Sequence, residues 1–600
     1  MPLQSSKLYL YAFVICAPCL FLLPAFGSDH QVITRSAQDG SPNAQYDLGL
    51  MYYQGSDVPH DYGEAVKWLR QAAEQGHAKA QFSLAFMYRE GLGVQQDYVE
   101  AIKWYQLSAD QGDADAQYSL AFMYRKGLGL PQDDSKAVKW VRLAADQGLT
   151  NAQYSLAFMY KEGLGVPQDY AEAVKWYRFA ADQGDADAQS ALGYMYRKGL
   201  GVSQDDSEAV KWFRLAADQG DAHAQYILGL IYDEGLGVSQ DYGKAVKWYQ
   251  LAADQGIAEA QYFLGSMYRN GLGIQQDDGE AVKWYRLAAD QGNADAQIFL
   301  GLMYRGGMGV QQDNAEAVKW YRLAADQGDA KAQFFLGLMY RKGLGVSRDD
   351  GEAVKWYRLA AKQGDADAQF NLGFMYNEGL GVQQDDAEAV KWYSLAADQG
   401  SAEAQFKLAL MYRDGRGVQQ DNAEAIKWYR LAADQGGAEA QFNLALMYWK
   451  GSGVTRDDSE AVKWYRLAAD QGRANAQLNL GFMYGKGLGV QQDNAEAVKW
   501  YRLAADQGDA DAQYNLALMY WKGRGVSQDD AEAVKWYYLA ASQGLANAQY
   551  NLGYMYWKGL GVQQDDSEAA KWYRLAADQG LTKARFGLVL MYLKAWVQNL

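Results

Sequence analysis

The stretch AVKWYRLAADQGNADAQIFLGLMYRGGMGVQQDNAE, residues 281–316, decides the fold. Ala281, Trp284, Tyr285 and Ala288 fall at i, i+3, i+4 and i+7, the spacing of one apolar helical stripe. Lys283, Arg286 and Asp290 lie largely off that stripe. Gly292 follows, and a glycine there can take the left-handed turn that satisfies the last carbonyls of a helix. A second helix is expected next, with Ala296, Leu300, Gly301 and Tyr304 on one face. Gly301 has no side chain, so a neighbouring helix can approach closely. Gly307-Met308-Gly309-Val310 breaks that helix. Asp313 then predicts an N-cap, and Glu316 three positions later makes an acidic variant of the reciprocal capping box. Two repeats carry Lys136 or Lys244 at that place and would keep only the Asp half.

Outward from this unit the pattern recurs without insertion or deletion. Trp68 returns every 36 residues to Trp572, fifteen times in all, and the Asp column from Asp61 to Asp565 is as complete. One helix pair cannot bury its own stripe, whereas stacked pairs share a continuous core with neighbour contacts only. The reading is all-α: an α-solenoid of 36-residue helix-turn-helix repeats. Its parts are a partial repeat at 28–40, fifteen repeats at 41–580, and a capping helix at 581–600. In the capping helix Ala595 replaces the usual Gly, so the helix is expected to continue through Trp596.

The first 27 residues differ. Lys7 precedes an apolar run from Leu8 to Leu23, and Ala25-Phe26-Gly27 provides small residues at −3 and −1 for cleavage before Ser28. This is the order of a secretory signal peptide. Export is expected, to a bacterial periplasm or alternatively out of the cell, with no membrane span in the mature chain. Both cysteines, Cys16 and Cys19, lie in that segment, so the mature chain has no disulfide and no thiolate chemistry. The absence of any Asn-x-Ser/Thr sequon fits a bacterial envelope. Hydrophobic residues make up 49% of the chain, enough for a large core. A net charge of −16, spread along the repeats, disfavours nucleic acid and anionic membrane as partners.

Leu300-Gly301-x-x-Tyr304 and Ala281-x-x-x-Tyr285 resemble the helical phrases of tetratricopeptide repeats. The link Gly91-Leu92-Gly93 and the phrase Glu280 to Tyr285 resemble the Sel-one-like version, and Gln297 stands where tetratricopeptide helices usually have Trp. The chain is therefore similar to the Sel-one-like repeat family. That resemblance implies a right-handed superhelical scaffold for protein complexes, binding partners through its groove. It also implies exported adaptors or regulators, some of which influence host contact or envelope polysaccharide assembly. One cysteine-rich branch is linked to β-lactam binding or hydrolysis, and this chain lacks those cysteines.

No residues point to catalysis. The Gly-x-Gly phrases lack a third Gly and a preceding strand, so they are helix stops and not dinucleotide loops. His30, His60, His77 and His223 are scattered without metal-ligand spacing, and Asp290 and Asp295 lack the order of a calcium loop. Neither metal nor cofactor is expected. Because most candidates are copied fifteen times, specificity must reside in the copies that differ. Asn occurs two positions after the helix-opening Gln at Asn371, Asn443, Asn479, Asn515 and Asn551. The residue after the Tyr column is usually Arg but becomes Trp449, Trp521 and Trp557, followed by Lys450, Lys522 and Lys558. By analogy with related repeats, whose first helix lines the concave surface, these residues would hold a protein or peptide, or a polysaccharide, by aromatic anchors and amide hydrogen bonds. The other reading has the Trp side chains filling gaps between repeats and Asn as a tolerated polar residue.

Overall fold

The computed structural model describes residues 30–598, and every regular element among them is a helix. The proposed signal segment and its cleavage site lie outside the described residues. The chain divides after Gln312 into two compact units. The first runs from the helix His30–Gln38 to the helix Ala294–Gly306, and the second from Asn314–Asp326 to Thr582–Gln598. In both, a thirteen-residue helix of one type (A) is followed by a thirteen-residue helix of a second type (B), once per 36 residues. Within each unit, an A helix packs on the B helix that follows it, and a B helix on the next A helix.

Residues 366–400 show why the pairs form. The A helix Ala366–Glu378 is capped by Asp365, whose carboxylate accepts from the Ala368 N–H at 2.7 Å, and it ends on Gly379 at φ +68°. The B helix Asp386–Asp398 is capped by Asp385, which accepts from the N–H groups of Ala387 and Glu388 at 2.9 and 3.0 Å. Its end is turned by Gly400 at φ +94°. The stripe read from the sequence faces the core: Ala281, Tyr285, Ala288, Ala296 and Leu300 are fully buried, while Trp284 is half-buried. Gly373, in the column of Gly301, confirms the close approach, since a Cβ there would lie 2.8 Å from the Tyr393 ring.

The reciprocal half of the expected capping box does not form. Glu316 turns outward to Lys319, and Glu388 to Lys391 at 3.0 Å. The capping residue's own N–H is already taken, because the linking loop folds back on the A helix: Asp385 N–H donates to the Tyr376 carbonyl at 3.0 Å. The linking loop also fixes a second glycine. Gly489 has φ +65°, and a Cβ would lie 2.1 Å from the carbonyl oxygen of Asp458 at the start of the preceding B helix. Only glycine fits there.

A spine of buried glutamines ties the helices together. Gln441 on an A helix donates from Nε2 to the carbonyl of Ala433 at 3.1 Å and accepts at Oε1 from Gln471 Nε2 at 2.8 Å. The same two bonds recur along both units, from Gln45 to Gln549 in one column and from Gln75 to Gln579 in the other. At the C-terminal end the last helix runs unbroken through Ala595 and Trp596 to Gln598.

Candidate functional site

Asn443, Asn479, Asn515 and Asn551 and the three Trp-Lys pairs lie in the second unit, on the A helices Ala438–Lys450, Ala474–Lys486, Ala510–Lys522 and Ala546–Lys558. Between successive A helices stands a buried tyrosine of the intervening B helix: Tyr465, Tyr501 and Tyr537. The ordinary arrangement around it is seen at Arg413. Its Nη1 donates to Asn443 Oδ1 at 3.1 Å, and Asn443 Nδ2 donates to the carbonyl of Glu439 at 2.8 Å. Asn371 is held in the same way by Arg341 at 2.8 Å. The Asn column of one repeat thus answers the Arg column of the repeat before it.

Where Trp replaces that Arg, the next Asn loses its donor. Asn479 follows Trp449 and Asn551 follows Trp521, and each Asn then stands beside a buried hydroxyl. Burial pushes the Tyr465 and Tyr537 hydroxyls well up from their ordinary range, and the Asn479 and Asn551 amides oppose the shift. The three indoles are half-buried. Trp449 meets Phe482 edge-on at 6.1 Å between ring centres, Trp521 lies 5.9 Å from Tyr554, and Trp557 lies 6.3 Å from the same Tyr554. Trp449 and Trp521 therefore fill space between repeats, Trp557 rests on its own helix, and all three keep part of their surface open. Lys450, Lys522 and Lys558 are exposed, and two of them fold over the neighbouring indole, Lys522 at 3.9 Å and Lys558 at 4.0 Å from the ring centre.

Sequence reading missed the centre of this cluster. In the repeat between Trp449 and Trp521 the column residue is Gly485, which provides no side chain at all. A Cβ on Gly485 would meet only Ala497 at 3.6 Å and the Tyr501 hydroxyl at 4.0 Å. Tyr501 is accordingly 5% exposed, where Tyr465 and Tyr537 are at 0%. Asn515, next along, has no Arg to accept from, and its side chain makes no hydrogen bond among the described residues. The result is a notch floored by the Tyr501 hydroxyl and the Asn515 amide, with an indole one repeat to either side. The available signal was the single glycine in an Arg/Trp column; it was hidden because Gly is common everywhere else in the chain. Among the described residues no group of three or more His, Cys, Asp or Glu is placed to hold a metal ion, and no helix is long and apolar enough to cross a membrane.

The model of the Sel1 repeat matches fifteen segments, beginning with 42–77 and ending with 546–581. The chain belongs to the Sel1 repeat family. Proteins built of Sel1 repeats are generally interaction scaffolds, and the fold is generally non-catalytic. Among solved structures the chain is similar to c5321, a protective antigen present in uropathogenic Escherichia coli strains and displaying an SLR fold. The two are 40% identical over 70% of this chain and 90% of that one, with a TM-score of 0.62. It is also similar to a Sel1 repeat protein from Oxalobacter formigenes, 38% identical over 52% of this chain and 90% of that one, with a TM-score of 0.44. A comparison with curated proteins finds no match.

Proposed function

We propose that this Sel1 repeat protein is an exported, non-catalytic scaffold that holds a protein partner on the A-helix face between Asn443 and Lys558. The observation that carries the reading is the notch at Gly485. In a chain of near-identical repeats, Gly485 is the one glycine of its column, and no side chain there covers the Tyr501 hydroxyl or answers the Asn515 amide. Trp449 and Trp521 flank them with rigid apolar surface. An extended peptide suits that combination, because its backbone N–H and C=O can engage Asn515 and Tyr501 while a side chain rests on an indole. Export is supported by the order of Lys7, apolar run and Ala25-Phe26-Gly27, and by the likeness to a protective antigen. A polysaccharide is the second reading, favoured by the Trp and Asn pairing. It fits less well because Lys522 and Lys558 already occupy ring faces on which a sugar would stack.

The test is substitution toward the commoner residue. A partner captured from envelope extract is titrated against wild type, Gly485→Arg, and the triple variant Trp449→Arg, Trp521→Arg, Trp557→Arg. An Arg at 485 is expected to fill the notch and bond Asn515 as Arg413 bonds Asn443, leaving thermal melting unchanged. Partner affinity should fall at least several-fold in both variants, since Trp anchors often contribute over ~2 kcal/mol each. Unchanged affinity in both would reject the site. Retained affinity for envelope polysaccharide with none for protein would favour the second reading.

A further inference from the structure

The two ends of the repeat array differ from its interior in a matched way. Within each unit, the A-helix glutamines accept a hydrogen bond from the glutamine thirty residues later that closes the following B helix, as Gln549 does from Gln579 at 2.9 Å. The A-helix column is Gln from Gln45 to Gln549 and ends on Arg585; the B-helix column is Gln from Gln75 to Gln579 and begins with Asp39. Arg585 and Asp39 are both exposed, and neither side chain has a partner among the described residues. If the 36-residue period is carried from the end of one chain to the start of another, the position thirty beyond Arg585 is Asp39. The missing rung would join a guanidinium to a carboxylate.

The apolar columns change in the same sense. Interior A helices carry Gly or Ala opposite a large B-helix residue, as Gly373 does opposite Tyr393. The last helix has Val589 in that column, and a tyrosine opposite it would overlap. The first helix, His30–Gln38, is of the B type and carries Ile33 in the tyrosine column. The bulk has moved from one side of the contact to the other. Phe586, Val589, Tyr592 and Leu593 leave an open face on the last helix, at columns that interior repeats bury or half-bury, and Val32 is open on the first. The last described helix is of the A type and the first of the B type, the two partners of the contact repeated within each unit.

We propose that copies of this chain associate head to tail, the last helix of one copy packing on the first helix of the next, with Arg585 paired to Asp39 across the joint. A heterologous contact of this kind can repeat along a row of copies. Charge selects the register: opposite charges meet only when unlike ends meet, and like ends repel.

Sedimentation velocity on the protein as it accumulates in expressing cells tests this, over a concentration series up to hundreds of micromolar. Wild type should pass from monomer to dimer and longer species as concentration rises. Arg585→Asp and Asp39→Arg should each move that transition to at least ten-fold higher concentration, with unchanged helicity and melting. The double variant, which restores an opposite pair, should return the transition to within about three-fold of wild type, and a mixture of the two single variants should associate. A wild type that stays monomeric throughout overturns the proposal. So does association that ignores both single reversals, or a double variant no better than either.

Discussion

Replacing Gln441 with Leu tests the glutamine spine most directly. Gln441 is 4% exposed and makes two bonds, to the Ala433 carbonyl at 3.1 Å and from Gln471 Nε2 at 2.8 Å. Leucine is of similar size, so the change creates little cavity. Neither former partner is wholly orphaned. The Ala433 carbonyl keeps the Gly436 N–H at 3.0 Å, and Gln471 Nε2 keeps the Gly436 carbonyl at 3.0 Å. The loss is then two net hydrogen bonds without a full desolvation penalty, about 1–3 kcal/mol at ~0.5–1.5 kcal/mol each. Because repeats contact only their neighbours, that loss should stay local. Hydrogen exchange followed by mass spectrometry is the assay. Amides of residues 422–470 should exchange roughly five- to 150-fold faster, the rate equivalent of that range at tenfold per ~1.4 kcal/mol. Amides of residues 98–126 should not change. Faster exchange of equal size at both places would refute local coupling, and no change at either would refute the spine.

Three further outcomes are expected. Gly489→Ala should destabilise its repeat by more than ~3 kcal/mol, as its Cβ would press on the Asp458 carbonyl, while Gly508→Ala, at φ +95° with nothing within 4 Å, should cost about 1 kcal/mol; equal exchange profiles would contradict the contact. Alkali should unfold the array. Burial pushes Tyr105, Tyr285, Tyr357 and Tyr501 up to about 12. The unfolded state therefore releases those protons first, and stability present below pH ~10 is lost as pH rises toward 12, which circular dichroism across that range would detect. N-terminal sequencing of the protein from envelope material should begin at Ser28, and a mature chain beginning at Met1 would end the export reading.

Much of this protein is legible in one dimension because its order is one-dimensional. Helix type, length, caps and stripe follow from spacing within 36 residues, and repetition multiplies each weak signal fifteen-fold. Ala281, Tyr285 and Leu300 could be assigned to the core, and Asp313 to a cap, from residues a few places away. What spacing could not supply is which column of one repeat meets which column of the next. That relation spans eighteen to thirty-six residues and depends on how helices pack. The column of Gln297 therefore read only as a departure from a related pattern, and became a structural link when Ala433 and Gln471 were found around its member Gln441. Glu388 satisfies the same local capping rule as Glu316, yet folding of the loop took the Asp385 N–H it needed. Gly485 was one glycine among 63 until the neighbouring helices showed that its missing side chain uncovers Tyr501 and leaves Asn515 unanswered. Local periodicity determined the helices; the packing of unlike columns across repeats decided where this surface leaves polar groups uncovered.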